Sequence, residues 1–155
     1  MLRESNVRDS QPKAKYLKDY KAPPFLIEET RLHFDIFEAV TRVTTTLKIS
    51  RNPIAEPTDA VPLLLNGSKT LNTQAIAIDG RALTLSEYLI DEDVLSVFEV
   101  PDVFELTTEV WIKPKENTAL EGLYQSGDMF CTQCEAEGFR NITWYLDRPD
   151  VMSIF

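Results

Sequence analysis

The chain has 155 residues, 43% of them hydrophobic and 10% aromatic, which suits one domain with an ordinary core. Its 25 acidic against 16 basic residues leave a formal charge of −9, the wrong electrostatic footprint for a nucleic-acid partner. No stretch reaches the ~18 consecutive apolar residues of a membrane span, and Met1 to Ser10 mixes charges where a secretory leader needs an apolar run, so no membrane partner and a cytoplasmic location are expected.

Residues 1–24 are polar, carry Lys13, Lys15, Lys18 and Lys21 close together, and end in Pro23-Pro24, which cannot join a sheet ladder. They read as an extended arm ahead of a β-domain over residues 25–155. Leu32, Phe34 and Ile36 alternate with Arg31, His33 and Asp35, the pattern of a half-buried strand. After a turn over Phe37 to Val40 the alternation resumes in Val43, Thr45, Leu47 and Ile49, rich in β-branched residues, which predicts an antiparallel pair.

Asn52 to Pro62 holds three prolines and no periodicity, so a surface loop should lead into the apolar run Val61 to Leu65 and a turn at Asn66-Gly67. Asp79-Gly80, between Ala75–Ile78 and Arg81–Leu85, predicts a tight hairpin, because Asp-Gly tolerates the positive φ values of a type I′ turn. Leu85 to Leu95 fits either a short helix or a hairpin strand turning at Asp91 to Asp93. Phe104, Leu106, Thr108, Val110 and Ile112 alternate with Glu105, Thr107, Glu109, Trp111 and Lys113, a further strand that Pro114 ends. Short strands at close spacing, with no long 3.6-residue period, indicate an all-β sandwich or a related curved two-layer sheet.

Chemistry would be sought in the dense stretch Asn117 to Asp150. Its Cys131-x-x-Cys134 pair invites a zinc or a redox reading. A structural zinc wants four protein ligands, and His33 is the only histidine. A thioredoxin-like pair needs a βαβ unit that the chain lacks, so two small reduced residues in a core are expected. If the segment is extended, Gln133, Glu135 and Glu137 share one polar, acidic face opposite Cys134 and Ala136. Such a face suits a cation such as a peptide's free α-ammonium, by charge-assisted hydrogen bonds. Equally, both glutamates could be solvated or paired with Arg140 or Arg148. His33 reads as a solvated strand residue without an evident partner. No second histidine is present to build a Ser-His or Cys-His arrangement, and Gly122 to Gly127 lacks the ending of a phosphate loop.

The run Asn117-Thr-Ala-Leu-Glu-Gly-Leu-Tyr-Gln-Ser-Gly-Asp128, with Cys131-Thr-Gln-Cys-Glu-Ala-Glu-Gly-Phe-Arg140 and Thr143-Trp-Tyr-Leu-Asp-Arg-Pro-Asp150, closely resembles the aminopeptidase N family in its alanyl aminopeptidase form. Lys18-Asp-Tyr-Lys-Ala-Pro23 and Leu63-Leu-Leu-Asn-Gly67 fall in their expected places, so the resemblance spans roughly Tyr16 to Phe155. It implies a saddle-shaped, sandwich-like N-terminal β-domain, incomplete at its C-terminal end, that leans on a thermolysin-like catalytic domain as its partner. It also implies peptide substrates with free amino termini, with Glu135 holding the substrate amine and Gln133 lining the first specificity subsite; Glu137 gains no role. The zinc cofactor of the family belongs to the parent protein. The H-E-x-x-H motif and the G-A-M-E-N segment are absent from this chain, so no metal ligand and no catalytic residue is assigned to it, and hydrolysis by it alone is not expected. The rival expectation is a free-standing, non-enzymatic module that binds peptide amino termini through the Gln133–Glu137 face.

Overall fold

A computed structural model describes residues 16–55 and 61–155. Within these residues ten strands form in chain order: β1 (Phe25–Ile36), β2 (Thr41–Arg51), β3 (Leu63–Asn66), β4 (Asn72–Ile78), β5 (Arg81–Ala82), β6 (Tyr88–Asp91), β7 (Val94–Val97), β8 (Val103–Ile112), β9 (Gly122–Ser126) and β10 (Met129–Gln133). Three single 3₁₀ turns, Leu17–Asp19, Pro114–Glu116 and Phe139–Asn141, are the only helical elements among the described residues. The strands make a five-stranded sheet in the order β1-β2-β8-β4-β5, a three-stranded sheet β3-β7-β6 and the hairpin β9-β10, with every ladder antiparallel.

The period-two reading of β2 and β8 is matched by the register. Val43 faces Val110, Thr45 faces Thr108, Leu47 faces Leu106 and Ile49 faces Phe104, and all eight are buried. Cross-strand pairs of this kind fix the register, because a one-residue slip would turn the whole row to solvent. Leu63, Leu65, Leu95 and Val97 of the smaller sheet join the same core, where each fully buried aliphatic side chain contributes about 1.5–3 kcal/mol.

In β1 the predicted apolar face is right but incompletely covered. A bulge between Ile27 and Glu29 switches the buried parity from Phe25 and Ile27 to Thr30, and Phe34 and Ile36 beyond it remain 37% and 52% exposed. The turn over Phe37 to Val40 forms, and so does the Asp79-Gly80 turn, with φ of 50° and 78° joining Ile78 to Arg81. Leu85 to Leu95 resolves as the hairpin alternative, in which Asp91 pairs with Val94 across Glu92 and Asp93. The Asn66-Gly67 signal does not make a turn. Asn66 stays in β3 and exchanges two backbone hydrogen bonds with Tyr145, while the chain turns later, at Ser68 to Leu71. Gly67 is needed for space: a Cβ there would strike the ring of Trp144, which is 1% exposed.

Of the expected arm, residues 1–15 lie outside the described residues, as do residues 56–60 of the proline-rich loop. Residues 16–24 are tied to the domain at their end, where the Asn52 amide donates to the Pro23 carbonyl at 2.8 Å and the Arg148 guanidinium to the Lys21 carbonyl at 3.0 Å.

Candidate functional site

The segment that carries Glu135 leaves the β9-β10 hairpin and dives into the core. β10 ends at Gln133, residues 135–138 turn, Phe139–Asn141 make a 3₁₀ turn, and Ile142 to Asp147 are all buried. The turn closes through the Gly138 N–H, which donates to the Cys134 carbonyl at 2.9 Å. Only glycine fits at this close approach, since a Cβ on Gly138 would lie 2.7 Å from the Gln133 carbonyl oxygen. The Glu135–Ala136 peptide is cis.

This turn corrects the expectation that Gln133, Glu135 and Glu137 share a strand face, because extension stops at Gln133. Gln133 is exposed, and its amide donates to the Glu135 carbonyl at 3.4 Å. Glu135 and Glu137 instead line an open depression of about 480 Å³ with Asp93, Glu121, Lys69 and Arg140. Two of the four carboxylates there are engaged or oriented: Glu137 pairs with Arg140 at 3.1 Å, and Glu121 accepts from the Asn141 amide at 3.4 Å. Lys69 is taken by Glu92 at 3.1 Å. Among the described residues Glu135 has no ion-pair partner, so its charge is free to meet a cation.

Arg140 and Asp147, which the sequence reading did not single out as a unit, form the firmest polar contact near this turn. The Arg140 Nε donates to Asp147 Oδ2 at 3.0 Å, its backbone N–H donates to the same oxygen at 3.1 Å, and Nη2 donates to the Asp147 carbonyl at 3.0 Å. The only sequence sign of it was their presence in the motif-dense stretch.

The two cysteines are free and half-buried, where fully buried positions were expected. Cys134 packs against the core, and burial, with the nearby Asp147 carboxylate, raises its thiol pKa above the usual value. His33 is exposed as expected, but it has a partner, Asp35 Oδ1 at 3.2 Å, and Arg42 shares that carboxylate at 2.8 Å. Among the described residues no three His, Cys, Asp or Glu side chains converge as metal ligands. A zinc needs at least three protein ligands even in an open site, and the described residues bring no such set together.

No family model matches the chain. The aminopeptidase N of Caulobacter vibrioides is 51% identical over 147 residues, covering 95% of this chain and 16% of that protein. The aminopeptidase N of Escherichia coli is 44% identical over 145 residues, covering 94% and 16%. The crystal structure of Legionella pneumophila aminopeptidase A in complex with aspartic acid superposes with a TM-score of 0.78 at 25% identity, covering 90% of this chain and 16% of that one. This chain is homologous to the N-terminal domain of aminopeptidase N. The aminopeptidase N likeness covers nearly all of it, β-strand core and Glu135 turn together, while the chain spans about one sixth of the length of the relatives it matches.

Proposed function

We propose that this chain is the substrate-anchoring, structural domain of a zinc metalloaminopeptidase that removes N-terminal residues from peptides. Glu135 holds the substrate's α-ammonium, Gln133 borders the first specificity subsite, and the zinc and the hydrolytic residues belong to a thermolysin-like catalytic domain outside this sequence. The observation that carries the reading is the 51% identity to an aminopeptidase N across 95% of the chain, in combination with a Glu135 carboxylate that is exposed and has no ion-pair partner among the described residues. A carboxylate left free on a rim, with its turn fixed from behind, is the arrangement that recognises an ammonium group by charge-assisted hydrogen bonds.

The test is Glu135→Ala in the full-length protein, assayed on an alanyl anilide. Removing one partner of a desolvated charge pair costs about 2–5 kcal/mol, or ~30- to several thousand-fold in kcat/KM. Unchanged kinetics would remove Glu135 from the site. A reading frame that stops after Phe155, with peptide binding retained, would favour the free-standing module.

A further inference from the structure

We infer that Arg140 is a positioning residue for Glu135, clamping the 135–138 turn to the core through Glu137 on one side and Asp147 on the other. The inference rests on the reading of Glu135 as the amine anchor. Asp147 is the fixed end of the clamp, with its side chain 10% exposed and its backbone N–H donating to Asn66 Oδ1 at 3.3 Å. Asn66 is itself locked to Tyr145 by backbone hydrogen bonds of 2.7 and 2.9 Å. Arg140, with its side chain 24% exposed, spends Nε and Nη2 on Asp147 and reaches Glu137 Oε2 with Nη2 at 3.1 Å. Glu137 lies two residues from Glu135 on the same turn, so the guanidinium ties the turn to β3 through an unbroken chain of contacts. The planar guanidinium, with several donors held in one rigid fork, reaches both carboxylates at once. Two counter-charges also neutralise Arg140, so it does not repel a cation brought to Glu135.

This gives Glu137 a use that the sequence motif withheld from it, as the grip on the turn and not as a ligand. The alternative is an ordinary partly buried ion pair that stabilises the fold and leaves substrate binding alone.

A double-mutant cycle in the full-length protein separates the two, with Arg140→Gln, Glu135→Gln and their combination assayed for KM and kcat on an alanyl anilide. Arg140→Gln is expected to raise KM about tenfold with a smaller change in kcat, as loss of an interaction present in both ground and transition states requires. In the Glu135→Gln background the same substitution should change KM by less than about twofold, because the residue it positions is gone. Glu137→Gln, which leaves the Arg140–Asp147 pair intact, should show a smaller KM effect of the same kind and carries the cycle if Arg140→Gln does not fold. An unchanged KM in these variants, or effects that multiply fully with Glu135→Gln, would overturn the inference while leaving the anchor standing. If Glu135→Gln alone leaves kcat/KM unchanged, the anchor itself fails and the positioning role falls with it.

Discussion

Three threonine hydroxyls sit where the large sheet meets the buried segment that follows the Glu135 turn, and Thr143→Val should show what they contribute. Thr45 Oγ1 donates to Thr143 Oγ1 at 2.7 Å, Thr108 Oγ1 lies 3.4 Å from the same atom, and the three residues are no more than 1% exposed. Valine replaces threonine with almost no change of volume, so the cavity term is negligible and the effect is polar. Thr45 loses its acceptor, and an unsatisfied buried hydroxyl costs about 1–3 kcal/mol. At this chain length that corresponds to a fall in Tm of roughly 2–4 °C per kcal/mol. Replacing Thr45, Thr108 and Thr143 together with valine removes every member of the group and should restore most of the loss, since matched apolar groups can be nearly neutral. Urea titration of the three single variants and the triple variant, read by far-UV circular dichroism, measures both numbers. A neutral Thr143→Val, or a triple variant as unstable as the sum of the single ones, would refute the reasoning.

Two further outcomes follow from the packing and the charges. Gly67→Ala forces a methyl onto the Trp144 ring, 2.8 Å from Cη2 and nearer to its other edge atoms, and strains the 2.8 Å bond from Trp144 Nε1 to Thr73 Oγ1. Overpacking of this kind costs about 1–3 kcal/mol, visible as a lower Tm and an altered near-UV signal, and an unchanged melt would contradict the contact. Glu87 is held at about 2, first by the Arg81 guanidinium at 2.8 Å and then by the Thr84 N–H and hydroxyl. Its pKa is depressed on folding, so its contribution to stability is present above the ordinary carboxylate range and is lost as pH falls toward 2. The Tm difference between the native chain and Glu87→Gln should therefore shrink between pH 4.5 and 2. A constant difference would show that the carboxylate titrates normally.

The alternation in β2 and β8 was legible because both strands bury one face against a single core, so that period two and burial coincide residue by residue. β1 was legible only in part: a bulge shifts parity without any residue in the sequence to announce it, and Phe34 and Ile36 beyond it stay largely uncovered. Asn66-Gly67 misled because glycine serves two ends, positive φ and close approach, and here Trp144, far along the chain, demanded the second. At the site, Glu135 and Gln133 could be named from the motif, but their geometry could not. Alternation puts Gln133, Glu135 and Glu137 on one face only in an extended segment, whereas Gly138 folds the chain back over Cys134. The clamp of Arg140 on Asp147 depends on the partner Asn66, brought in from β3, and no local pattern reports a contact of that range.

The central claim is that Glu135 recognises a free amino terminus, and the most direct measurement is discrimination, not rate. In the full-length protein, kcat/KM for an alanyl anilide is compared with that for the propionyl anilide, which lacks only the α-amine, with and without Glu135→Gln. The account predicts that the unsubstituted protein strongly prefers the aminated substrate and that Glu135→Gln reduces this preference by tenfold or more, about 1.4 kcal/mol of lost discrimination at least. A preference left intact in Glu135→Gln would contradict it.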